Sequence, residues 1–126
     1  RNITFFSDTV KHTEVSNPFD RELSGRIKKA LPEGAEDIVY VTTNGPRFET
    51  KAEVKAYGIL GGDVVGMTGG SEMTLLREKN IKMGGIVYSI NWCTGVKEDF
   101  LFSSDGDVHS MSKRTLEAAL EALENG

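Results

Sequence analysis

The chain has 126 residues, a net charge of −4, and 38% apolar against 27% charged residues. This suits one domain, residues 1–126, with room for a core, and its acidic balance argues against nucleic-acid or anionic-membrane partners. No apolar run approaches the length of a membrane span, the first residues lack a signal-peptide pattern, and a lone Cys93 cannot build a disulfide framework, so a cytoplasmic setting is expected.

Asn17-Pro18-Phe19-Asp20 reads as a helix start, with Asn17 as the cap and Pro18 in the first turn. Phe19, Leu23, Ile27 and Ala30 then recur at helical spacing until Pro32-Glu33-Gly34 stops them. Ile38 to Thr43 is rich in β-branched residues and predicts a buried strand. Asn44-Gly45-Pro46 breaks it, and Thr50-Lys51-Ala52-Glu53 has the form of a capping box that launches a helix near Lys51. Gly61-Gly62 ends that helix. Asp63, which fits a backbone-fixing turn position, opens a second short apolar strand through Met67. Thr68-Gly69-Gly70-Ser71 then turns into a helix from Glu72 to about Lys79.

A third strand is expected from about Gly85 to Asn91. Residues 96–110 show no period and carry the loop signal Ser103-Ser104-Asp105-Gly106-Asp107. The last helix places Leu116, Ala119, Leu120 and Leu123 on one face. Strands alternating with helices predict an α/β fold with a mixed, largely parallel sheet flanked by helices in three layers.

Ligands in such sheets bind beyond the carboxyl ends of the strands. Those ends lead here to Phe48-Glu49, to Met67-Thr68 and to Asn91. Each position has a plain structural reading: Phe48 as core, Glu49 as a solvated helix-start carboxylate, Asn91 in a turn, and Thr68 to Ser71 as a strand-to-helix turn capped by Ser71. The last of these is also a place where backbone N–H groups and the helix dipole can hold an anion. His12 and His109 read as surface histidines, and Cys93 has no basic neighbour in sequence to activate it. Two histidines and one cysteine, scattered, offer no metal-ligand spacing, so no metal is expected.

"GPRFETKAE", "GGDVVGMTGGSE" and "SINW", in that order and spacing, resemble the trimeric purine nucleoside phosphorylase and methylthioadenosine phosphorylase family. "HTEVSNPFDREL" resembles the family's His-Pro-Phe segment, and the similarity runs over roughly residues 1–95, in the C-terminal half of the family domain. The resemblance implies phosphorolysis of a purine N-glycosidic bond, with inorganic phosphate as co-substrate and no cofactor. It also implies a homotrimer for the complete protein, and contacts to nucleoside and phosphate but to no nucleic acid or membrane.

Carried over by position, Phe48 resembles the aromatic against the base, Glu49 the carboxylate at its Watson–Crick edge, and Met67 the residue under the ribose. Thr68 resembles the phosphate-binding hydroxyl, and Asn91 the side chain at O6 and N7. His12 resembles the histidine closing the 5′ side, commonly of a neighbouring subunit's site. Glu49 and Asn91 are then the residues that act on the leaving base. A 6-oxopurine offers an N1–H to a carboxylate, whereas a 6-aminopurine offers a lone pair, so Glu49 with Asn91 favours inosine-, guanosine- or methylthioinosine-like substrates. Methylthioadenosine phosphorolysis and non-catalytic purine binding are the alternatives.

The family's N-terminal half carries a Gly-rich phosphate loop that this sequence lacks, and Arg1 stands where a start Met would. Both features point to a piece of a longer enzyme, with little activity expected of the 126 residues alone.

Overall fold

The computed structural model describes residues 13–31, 36–98 and 102–124. In chain order the elements are α1 (Arg21–Ala30), β1 (Tyr40–Thr42), α2 (Lys51–Ile59), β2 (Val64–Gly66), α3 (Gly69–Glu78) and α4 (Asp105–Glu124).

The cap of α1 is Asp20 rather than Asn17: its carboxylate accepts from the Leu23 N–H at 2.9 Å. The asparagine lies too far upstream for that reach, and the helix starts three residues later than the Asn-Pro pair suggests. Lys28 and Lys29 sit in the last turn of α1, where positive charge suits the helix dipole.

Strands β1 and β2 are parallel, with Tyr40 opposite Val64, Val41 opposite Val65 and Thr42 opposite Gly66. Helix α2 is the crossover between them, so the expected α/β arrangement is present as a βαβ unit. The strands are shorter than the apolar runs that encode them. Ile38 and Val39 lie outside β1 and are exposed. Asp63 does fix the backbone there: it accepts from the Val39 N–H at 2.7 Å, and its own N–H donates to the Val39 carbonyl at 2.9 Å.

The third strand expected at 85–91 does not form a ladder. Among the described residues the segment's backbone pairing is an isolated antiparallel bridge, Asn91 to Phe102, with Ser103 N–H donating to the Ile90 carbonyl at 2.6 Å. Tyr88 and Ser112 share a hydrogen bond of 2.6 Å, which ties the segment to α4 instead.

Helix α4 starts earlier than its leucine pattern suggests. Ser104 accepts from the Asp107 N–H at 3.2 Å and donates to the Asp107 carboxylate at 2.6 Å, a reciprocal cap inside the stretch expected to be loop. His109 therefore sits on the surface of a helix. The buried face is also different: Ala118 and Ala122 are buried with Ile27 of α1, while Leu116, Leu120 and Leu123 are exposed. Helices α1 and α4 pack on each other, and the small residues of α4 are the ones buried. No described helix is long and apolar enough to cross a membrane.

Candidate functional site

The βαβ unit brings two of the three expected strand ends together. Thr43, one residue beyond β1, donates its N–H to the Gly66 carbonyl at the end of β2, 2.9 Å away. Gly45 takes a positive φ of 56°, and a Cβ there would come within 2.5 Å of Met67 Sδ. Glycine is therefore needed twice over, for the turn and for the thioether that lies against it. The Gly45-Pro46 turn and Met67 are thus in contact.

Between that turn and α2 lie Phe48 and Glu49. The capping box is present as the sequence predicts: Thr50 Oγ1 accepts from the Glu53 N–H, and the Glu53 carboxylate accepts from the Thr50 N–H at 2.7 Å. Arg47 adds a bidentate ion pair to Glu53, at 2.9 and 2.8 Å, and donates to the Phe48 carbonyl at 2.9 Å. Bound chiefly by the Arg47 guanidinium and then by Thr50, the Glu53 carboxyl is held down at a pKa of about 2. Phe48 is therefore fenced between the turn and a clamped helix start, with its side chain half exposed.

The Glu49 carboxylate is partly buried and accepts from the Thr43 hydroxyl at 2.8 Å. No other hydrogen bond reaches it from the described residues. Cys93 is its electrostatic neighbour: burial pushes the thiol pKa up, and the Glu49 charge pushes it further. Neither effect favours a thiolate.

The third strand end is tied to Phe48 through Phe102, although Phe48, Glu49, Met67 and Thr68 do not line the cleft beside Asn91. The Phe48 and Phe102 ring centroids are 6.3 Å apart with planes inclined at 55°, and Phe102 is the bridge partner of Asn91. Asn91, Trp92, Lys97 and Phe102 line an open cleft of about 730 Å³, with the Lys97 ammonium 4.1 Å from the centre of the Trp92 ring. The Asn91 amide donates to the Trp92 carbonyl at 3.0 Å.

Thr68 precedes α3 and is exposed, and its side chain makes no capping hydrogen bond. Ser71 lies inside α3 rather than capping it, because the helix begins at Gly69. The glycine pair has a steric cause. A Cβ on Gly70 would meet Thr42 Oγ1 at 2.5 Å, and one on Gly69 would meet the Tyr40 ring at 3.0 Å. Only bare backbone lets the start of α3 settle on β1, and this sets Thr68 and the first N–H groups of the helix at the strand end.

Phe48, Glu49, Met67 and Thr68 are thus grouped through the ends of β1 and β2, and Asn91 is linked to Phe48 only indirectly, by its bridge to Phe102. His12 lies outside the described residues. Thr43, Arg47 and Phe102 also belong to this neighbourhood, although residue type alone does not mark them. Thr43 looked like the tail of a strand, and Phe102 stood in an aperiodic segment. Arg47 next to an S/T-x-x-E box was the one local signal available. Among the described residues, no group of three or more His, Cys, Asp or Glu is placed to hold a metal ion.

An α/β unit with an aromatic-carboxylate pair at one strand end and a helix N-terminus at the next can take a flat polar heterocycle beside an anion. The chain belongs to the Phosphorylase superfamily, whose family model matches residues 1–124.

The match continues through α4, past the point near Val96 where the motif resemblance ends. The chain is 40% identical over 102 residues to a probable S-methyl-5′-thioinosine phosphorylase of Methanopyrus kandleri, covering 78% of this chain and 40% of the relative. It is 38% identical over 104 residues to the 6-oxopurine nucleoside phosphorylase of Pyrococcus furiosus (76% and 38% covered). A probable 6-oxopurine nucleoside phosphorylase of Korarchaeum cryptofilum is 53% identical over 113 residues (76% and 42%). The chain spans about two fifths of the length of these relatives.

Proposed function

We propose that the complete protein phosphorolyses 6-oxopurine nucleosides, with a 5′-hydroxyl or 5′-methylthio group, to free base and the corresponding ribose 1-phosphate. A phosphate oxygen attacks C1′ as the bond from C1′ to N9 breaks, and the electron pair of that bond passes into the purine. The transition state has oxocarbenium character in the sugar and negative charge in the base, so catalysis is positional and electrostatic and needs no enzyme nucleophile. Inorganic phosphate is the co-substrate, and no cofactor takes part.

In this reading Phe48 packs on the base and Glu49 accepts its N1–H. Asn91 donates to O6 or N7 as charge builds there. Met67 lies under the ribose, and Thr68 with the α3 N-terminus holds phosphate. His12 closes the 5′ side of a neighbouring site in a homotrimer, and the enzyme works in the cytoplasm.

The observation that carries the reading is the Phe48–Glu49 pair: a half-exposed ring beside a partly buried carboxylate, linked through Met67 to a helix start whose threonine hydroxyl is not used as a cap. A carboxylate in that place rejects the N1 lone pair of adenine and accepts the N1–H of hypoxanthine or guanine. The relatives' names, which specify 6-oxopurine and methylthioinosine substrates, agree with it.

The experiment is release of hypoxanthine from inosine and methylthioinosine with and without phosphate. Release that requires phosphate and yields the sugar 1-phosphate is expected. Release at the same rate in its absence would make the protein a hydrolase, and base binding without any release would make it a non-catalytic purine-binding protein.

A further inference from the structure

Thr43 is in none of the sequence motifs that suggest chemistry, yet among the described residues it is the one that hydrogen-bonds the Glu49 carboxylate. Its hydroxyl donates to Glu49 Oε1 at 2.8 Å in a partly buried setting. Its backbone is fixed independently, because the Thr43 N–H donates to the Gly66 carbonyl at 2.9 Å, on the residue that leads into Met67-Thr68. The donor therefore sits at the end of the sheet, at the junction of both strand ends, while Glu49 lies beyond the Gly45-Pro46 turn, just before α2.

We infer that Thr43 is the positioning residue for base selection: it pins one oxygen of Glu49 to the sheet and so leaves Oε2 to meet the N1–H of a 6-oxopurine. The inference rests on the base-reading role proposed for Glu49. A glutamate has several side-chain torsions and spreads over many rotamers unless something holds it. A hydroxyl-to-carboxylate hydrogen bond is charge-assisted and directional, so it selects one carboxylate plane. That plane is set relative to β2, and hence relative to the residues proposed to hold ribose and phosphate. A methyl in place of the hydroxyl would keep the shape of the strand end and remove only this constraint.

The test is calorimetric titration of the complete protein, in the presence of phosphate, with hypoxanthine and with adenine. Wild type, Thr43→Val, Thr43→Ser and Glu49→Ala are compared, and thermal melts are recorded for each. Thr43→Val is expected to weaken hypoxanthine binding about tenfold, to leave adenine binding unchanged and to shift melting little. Thr43→Ser, which keeps the hydroxyl, is expected to restore most of the loss. If the valine crowds the strand end and unfolds the protein, Thr43→Ala supplies the same deletion without added bulk. Wild-type hypoxanthine binding in the hydroxyl-less variants, or equal losses for both bases, would overturn the assignment, as would failure of serine to restore binding. Glu49→Ala separates the two levels. If it leaves the preference for hypoxanthine intact, the base-reading role falls and the Thr43 assignment with it. If it abolishes the preference while Thr43→Val keeps it, only the Thr43 assignment is wrong.

Discussion

Arg47 grips Glu53 with both terminal guanidinium nitrogens, at 2.9 and 2.8 Å, and the same guanidinium donates to the Phe48 carbonyl. One ion pair thus links the α2 capping box to the backbone of the residue proposed to carry the base. The pair is solvent-accessible, and an isolated surface ion pair contributes little to stability. This one is bidentate and shares its carboxylate with the Thr50 N–H, which makes its pH dependence readable.

Glu53 has its carboxyl pKa lowered from 4.5 to about 2. A lowered carboxylate pKa gives a stabilisation that is fully present above the ordinary value and is lost as pH falls through the folded one. Glu53→Gln should therefore melt below wild type by a constant margin at neutral pH, and the margin should shrink between pH 4.5 and about 2. Melting curves of both proteins across that range check this; a margin that does not change with pH would remove the charge from the explanation.

Gly70→Ala puts a methyl where Thr42 Oγ1 lies 2.5 Å away. Helix propensity favours alanine, but overpacking against a strand costs about 1–3 kcal/mol. Urea unfolding should show a net loss, together with weaker phosphate binding as the α3 start is pushed off β1. A stabilised variant would show that the helix start has room to move.

Thr68→Val removes a hydroxyl that makes no capping bond. Stability should stay within about 0.5 kcal/mol of wild type, while phosphate affinity falls about tenfold through loss of a hydrogen bond to a charged group. Paired denaturation and phosphate titrations separate these effects. A large drop in stability with unchanged phosphate affinity would make Thr68 a cap and nothing more.

Phe48→Ala should weaken hypoxanthine binding by about 1–3 kcal/mol, the range for removing an aromatic on which a base stacks. The ring is 51% exposed, so little folding stability should be lost with it. Fluorescence or calorimetric titration of hypoxanthine, set beside a melting curve, checks both.

Local chemistry was the most legible part of this sequence. The Thr50–Glu53 box and the Gly61 stop need only their near neighbours, and both are in place. The β1-α2-β2 unit was legible because its apolar runs are bounded by Gly and Pro. Its strand lengths were not, because a ladder ends where its partner ends, and Val39 is held by Asp63 instead. The run Ile86 to Ile90 has strand propensity, yet propensity without a neighbouring strand leaves only a single bridge at Asn91. In α4 the leucine period pointed to the wrong face, since close packing on α1 selects Ala118 and Ala122. The Ser104–Asp107 cap was hidden by a glycine that made the stretch read as loop. The grouping of Phe48, Glu49, Met67 and Thr68 followed from strand ends and motif order. Thr43 and Phe102 join that site through tertiary contacts that no periodicity encodes.

The central claim, that Glu49 reads the N1–H of a 6-oxopurine, is tested most directly by the kcat/KM ratio for inosine or methylthioinosine over methylthioadenosine, in wild type and Glu49→Ala. A strong wild-type preference for the 6-oxopurine nucleoside, collapsing by about 10²-fold or more in the variant, is the predicted result. A wild-type preference for methylthioadenosine, or a preference for inosine that survives the loss of Glu49, would contradict it.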